Sequence, residues 1–273
     1  MFYYIFACDK SRITNPKSTV SRYHPTLNNQ VQKGDNGYIV LDYGYELIKA
    51  DNIQDLEAKK SSLGYKEVLF TVATTRDDSE LNSIQGFVRG TKTFVCSDEN
   101  TFKSPSCEVY IDSLKGFSVL EKAKSYGFDY IMLDYILMRA YIQAIEDYQE
   151  KAAASLDKNE TEILEKIYRF DVQSYFATPM LLKAYQGYQI WQKLAKVTGL
   201  KDRHDEMLAQ VERLASLVEQ KRAKEENENA IKRSEKLSKI GIGIAVFAAI
   251  LALVSAADAV ISMLKFAKGL APF

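Results

Sequence analysis

Apolar positions along this chain first come in short runs, then recur at three and four residues, and finally run together with almost no polar interruption. Up to about residue 116 the pattern consists of short aromatic and β-branched runs. These are "FYYIFAC" (2–8), "GYIVLDYGY" (37–45), "KEVLFTVATT" (66–75), "GFVRGTKTFVC" (86–96) and "EVYIDSL" (108–114), punctuated by Gly, Asn and Asp. Runs of this kind predict strands. "DNIQDLEAKKSSLG" (51–64) predicts a helix closed by its glycine. Residues 1–117 therefore read as a compact α+β domain, the expected seat of a sensor function.

From about 118 the period becomes helical. Leu133, Leu137, Tyr141, Ala144 and Tyr148 form one stripe; Ile163, Ile167 and Phe170 form a second; Leu181, Tyr185 and Tyr188 a third. "SLDKNET" reads as a helix connection, Pro179 as a break or kink, and "VTGLKD" (197–202) as a turn with Asp202 as a cap. Residues 118–200 are thus expected to be a helical coupling region. Residues 201–239 predict a long stalk helix. Met207, Val211, Leu214 and Val218 give it a short coiled-coil-like seam. The polar stretch 221–236 that follows contains good helix formers and neither Gly nor Pro.

"IGIGIAVFAAILALVSAADAVISML" (240–264) is the one membrane-length run. As a helix it extends roughly 37 Å, enough for a single span of a hydrocarbon core about 30 Å thick. Gly241, Ala245, Ala248, Ala252, Ser255, Ala259 and Ser262 recur in a heptad-like seam of small residues, which allows close helix packing in lipid. Asp258 lies beside that seam, between Ser255 and Ser262. Three readings stand: a ring of carboxylates at the mouth of an oligomeric pore, a residue at the far headgroups where the span ends, or a pairing with Lys265 or with another protein. Lys232, Arg233, Lys236 and Lys239 precede the span, against Lys265 and Lys268 after it. The positive-inside rule then places residues 1–239 in the cytoplasm and the short tail on the far side. "MFYYIFACDK" has neither a basic n-region nor a cleavage site, and reads as a strand rather than a signal peptide.

Charge adds one local feature. The chain is neutral overall, with 36 basic and 36 acidic residues, so no global field recruits nucleic acid and no duplex-DNA reading is expected. Yet residues 10–33 carry Lys10, Arg12, Lys17, Arg22 and Lys33 with no acidic residue, and Tyr23 is interleaved. Cations beside an aromatic are what phosphates and a stacked base require. This segment is the candidate site for a nucleotide or short oligonucleotide, with Arg76, Arg89 and Lys92 joining it if the sheet brings them together. The alternative is a solvated basic loop. Three scattered cysteines suggest neither disulfides nor a metal site. No phosphate-cradling loop, zinc-protease motif or nucleophile elbow is present. His204 and Asp205, at an expected exposed helix start, give little reason for catalysis. No enzyme and no cofactor are expected.

The stretch from "DEMLAQVERLASLVEQ" to "IGIGIAVFAAILALVS", a long helix running from a cytosolic domain into the membrane, resembles the stalk and first span of CorA-like ion channels over residues 160–257. This sequence has neither the family's Gly-Met-Asn signature nor its second span, so the resemblance implies the layout and not magnesium transport. The plan is also similar to the membrane effectors of bacterial anti-phage systems, including the Hailong type, which is gated by short DNA oligomers. What these resemblances imply is an oligomeric, ligand-gated ion channel of the inner cell membrane acting in antiviral defence, its partners being other copies of itself, lipid and a nucleotide ligand. The competing expectation is a tail-anchored adaptor without a pore.

Overall fold

"FYYIFAC" forms the centre of a mixed sheet. The computed structural model describes residues 1–18, 23–64, 67–92, 94–113, 115–123, 127–155, 160–181 and 185–269; for Ser18, Glu160, Val254, Ser255, Ala259, Ser262 and residues 264–269 it describes the backbone alone. Strand β1 (Phe2–Cys8) pairs antiparallel with β5 (Tyr43–Ala50) on one side and β6 (Phe70–Thr75) on the other. Ile5 stands opposite both Leu47 and Phe70. Outward from β5 lie β4 (Gly37–Val40), β3 (Val31–Lys33) and β2 (Lys17–Ser18). Outward from β6 lie β9 (Gly116–Glu121), β8 (Cys107–Asp112) and β7 (Thr101–Lys103). β6 and β9 run parallel; the other neighbouring pairs are antiparallel.

Alternation along β1 sends side chains to two faces. Tyr4 and Phe6 meet Ile48, Ala50 and Leu56 under α2 (Ile53–Ser62). Ala73 meets Ile84 and Val88 of α3 (Leu81–Arg89) on the same side. On the opposite face Tyr3 stacks on Phe128 of α4 (Phe128–Ala154), and Tyr135 packs on Phe70 and Phe117. The far side of α4 meets α5 (Glu160–Gln173) and α6 (Tyr185–Thr198), where Tyr141 touches Phe170 and Trp191. An apolar helix covered on both sides accounts for its nearly continuous burial from Ile131 to Ile145. A one-turn helix, α1 (Pro25–Asn28), precedes β3.

The structure differs from the sequence expectation at several places. "GYIVLDYGY" is a hairpin rather than one strand, because Leu41 and Asp42 take positive φ values of 52° and 70° and turn the chain. "GFVRGTKTFVC" is not a strand. Leu81, Ile84 and Val88 follow helical spacing, and Gly90 ends the helix in the left-handed region, its amide hydrogen-bonded to the carbonyls of Gly86 and Phe87. "GFSVLE" is an interior strand, so the sheet continues past residue 117. Asp202 lies in the first turn of α7 (Leu200–Gly269), after Gly199, rather than at its cap.

The chain divides into two compact units, Met1–Leu214 and Ala215–Phe273. The sheet and α4–α6 thus share the first unit. So does the start of α7, whose Leu200, His204, Met207, Val211 and Leu214 are buried there. The seam read as coiled-coil-like is therefore largely used within the chain. The polar stretch 221–236 is helical and exposed, and α7 runs on through the apolar run without interruption.

Candidate functional site

Folding disperses the basic segment. Lys10 lies 2.7 Å from Asp42, Arg12 3.1 Å from Glu46, and Lys33 2.8 Å from Asp129. The hydrogen bond to Asp42 raises the pKa of the Lys10 ammonium. Lys17 is exposed and stands opposite Lys33 in the β2–β3 register. Arg22 lies outside the described residues. Tyr23 is fully buried, and its hydroxyl donates to Oδ1 of Asp134 at 2.7 Å. The His24 amide donates to the Pro179 carbonyl, and the His24 ring stacks on Phe176. The expectation of Tyr23 as a stacking platform is corrected: its ring is a core element that ties the loop to α4, with no face open to a base.

The other expected cations do not join this segment as a group. Arg76 pairs with Glu121. Arg89 and Lys92, with Lys115, instead line a groove of about 650 Å³ between the end of α3 and the start of β6. Arg89 Nη1 donates to both carboxylate oxygens of Asp112, at 3.1 and 3.4 Å, and the guanidinium lies 4.7 Å from the centre of the Phe94 ring. The apolar wall holds Phe87 and Tyr4, stacked at 5.6 Å.

His204 is buried, contrary to the expected exposed helix start. Its Nε2 lies 2.8 Å from Asp171 Oδ1, and its ring stacks flat on Tyr175 at 3.6 Å. Burial, then the Asp205 and Asp171 carboxylates, push the Tyr175 hydroxyl up to about 12. The contact ties α7 to α5 and the loop after it. Arg139, on α4, has a buried Nε and Nη1 without an acceptor among the described residues. Sequence reasoning missed it, because burial of Arg139 follows from how α4 packs and not from any local motif. Among the described residues, no group of three His, Cys, Asp or Glu side chains is placed to hold a metal. Burial raises the Cys8 and Cys96 thiols above their ordinary range.

The apolar section of α7 is long and apolar enough to cross a membrane, and none of it is buried. Among the described residues its large side chains stand open, from 48 % exposure at Ile261 to 75 % at Met263. Gly241, Ala245, Ala248 and Ala252 are equally uncovered, and a Cβ added at Gly241 meets nothing within 4 Å. Asp258 is exposed, with no ion-pair partner among the described residues. Ser255 and Ser262 belong to the helix, but their side chains lie outside the described set. Compared with known proteins, the chain matches no family model, no curated protein and no solved structure.

Proposed function

We propose that this protein is a membrane-anchored homo-oligomer whose mixed-sheet unit senses an anionic ligand of the nucleotide class, and in which the C-terminal helices of several copies line a small ion channel. The observation that carries this reading is the uncovered apolar section of α7. Among the described residues, eleven large apolar side chains from Ile240 to Met263 are exposed. Covering them with lipid is worth on the order of 20 kcal/mol, at about 2 kcal/mol each. Asp258 opposes insertion by only about 3 kcal/mol. The small-residue seam supports close contact between helices in lipid, and a carboxylate beside it favours cations when several copies meet. A ligand shifts a closed–open equilibrium only by binding the two states differently; α7, helical from Leu200 to Gly269, is the element proposed to carry that difference. The layout resemblance to CorA-like channels and anti-phage membrane effectors supports the same reading, and the basic flank supports a cytoplasmic first unit.

The test is purified full-length protein in a planar bilayer with asymmetric potassium chloride. The expected result is a cation-selective reversal potential that weakens in Asp258→Asn and changes sign in Asp258→Lys. Stable insertion without any current would leave a tail-anchored adaptor in place of the channel.

A further inference from the structure

The basic segment does not offer a ready anion site, since three of its cations already hold carboxylates and its aromatic is in the core. The groove beside β6 offers what that segment lacks. Arg89 spends only Nη1 on Asp112. Among the described residues its Nε and Nη2 have no acceptor, and these two N–H groups form the planar side fork that matches two oxygens of one oxyanion. The side chain does not have to be ordered on binding, because Asp112 holds one edge and Phe94 lies against the guanidinium face. Lys92 and Lys115 line the same groove, are exposed, and have no ion-pair partner among the described residues. Elsewhere in this unit Lys10, Lys33, Lys103 and Lys122 each lie within 4 Å of a carboxylate. Glu67 is the only acid among the lining residues and Asp112 holds Arg89, so three cations stand against two carboxylates.

The rest of the lining sets the body of the ligand. Phe87 is half-buried against the nearly buried Tyr4, and Val68 and Ile53 continue the apolar wall. A volume of about 650 Å³ falls within the range of pockets that take drug-sized ligands, about 300–1,000 Å³. Cations on one part and an apolar, aromatic wall on the other select a phosphorylated small molecule with a flat or apolar body.

We infer that this groove binds a phosphorylated ligand of about mononucleotide size, with Arg89 as the bidentate phosphate anchor, Lys92 and Lys115 as supporting cations, and Phe87 beside the ligand's body. The inference rests on the ligand-sensing reading of the first unit and gives that reading its site. It also explains how a neutral chain attracts an anion: Lys92 and Lys115, without an ion-pair partner among the described residues, come together where α3, β6 and the β8–β9 turn converge.

The experiment is equilibrium binding to the full-length protein in detergent micelles, with ATP, inorganic pyrophosphate and adenosine as probes. ATP and pyrophosphate are expected to bind saturably and compete with each other, and adenosine to bind at least ten-fold more weakly than ATP. Arg89→Met should weaken ATP at least ten-fold. Arg89→Lys, which keeps a charge beside Asp112 but lacks the fork, should recover little of that. Lys92→Glu with Lys115→Glu, both at exposed positions that the core does not use, should also lose at least ten-fold. Lys10→Met with Lys17→Met should change nothing. Absence of saturable ATP and pyrophosphate binding by the folded protein overturns the inference, as does binding unchanged in the Lys92 and Lys115 double variant. Because binding in detergent needs no pore, protein that conducts but fails this test removes the groove alone, and protein that binds but never conducts removes the channel alone.

Discussion

Tyr23 separates two roles that a single conservative substitution distinguishes. If its ring stacked on a base, Tyr23→Phe would keep the stacking surface. In the fold it is fully buried, and its hydroxyl reaches Asp134, also fully buried, across 111 residues of sequence at 2.7 Å. Removing the hydroxyl leaves a buried carboxyl oxygen without that donor. A lost hydrogen bond to a buried acceptor costs about 1–3 kcal/mol. Asp134 keeps further interactions, which places the expected loss near the middle, at about 2 kcal/mol. For a unit of this size each kcal/mol shifts the melting temperature by about 2–4 °C, so the expected fall is about 4–8 °C.

The assay is thermal unfolding of the full-length protein in detergent, followed by intrinsic fluorescence, with Lys17→Met as the exposed control. That control should stay within about 0.5 kcal/mol of the parent. A Tyr23→Phe variant that melts with the parent would refute the reasoning.

Arg139→Met should leave stability unchanged or raise it by about 1 kcal/mol in urea unfolding, because it removes a buried cation whose Nε and Nη1 have no acceptor; a loss above about 2 kcal/mol would mean the guanidinium is satisfied after all. The Lys122 ammonium, then the Tyr110 hydroxyl, hold the Glu108 carboxyl below its usual range. A lowered folded-state pKa contributes stability above the unfolded value of 4.5 and loses it as pH falls through the folded value. Glu108→Gln should therefore lose less stability than the parent as pH falls below 4.5, and parallel urea curves for the two proteins over that fall would count against the pairing. Ala248→Leu, on the small-residue seam, should reduce cross-linked oligomers in detergent while Ile250→Leu does not; equal yields would remove the seam from the interface.

How much of this was legible in the sequence depended on how local each cause was. "FYYIFAC" and the helix in residues 51–64 were readable because an aromatic, β-branched run and a closing glycine act within a few residues; the structure adds a cap, the Asn52 side chain accepting from the Asp55 amide. The apolar run of α7 and the helical nature of residues 221–236 were readable for the same reason. Residues 86–89 were misread because Gly86, Phe87 and Val88 look like a strand until Leu81 and Ile84 are counted with them. β9 was missed because "GFSVLE" sits directly before a long helical pattern, and its parallel partner β6 is far back in the chain. His204 was misplaced because its partners, Asp171 and Tyr175, come from a separate helix and its following loop.

Charge shows the same division most sharply. Counted along the chain, residues 10–33 hold five Lys and Arg residues and no acid, and an anion site follows. Counted in space, Lys10, Arg12 and Lys33 face Asp42, Glu46 and Asp129, and a ligand phosphate would have to compete with carboxylates already in place. Exposed pairs of this kind contribute little to stability, about 0–1 kcal/mol each, but they cancel the field that draws an anion in. Arg89, Lys92 and Lys115 make no run in the sequence, since Lys115 comes from a different hairpin. They become a group only because α3 returns to β6 and because β6 pairs with β9, which begins immediately after Lys115. The useful quantity for locating an anion site in a neutral protein is therefore the number of cations left without carboxylates once the sheet has formed. Among the described residues that measure gives Lys92 and Lys115 at the groove beside β6 and Lys17 alone in the basic segment, and the fork of Arg89 is the groove's most specific feature.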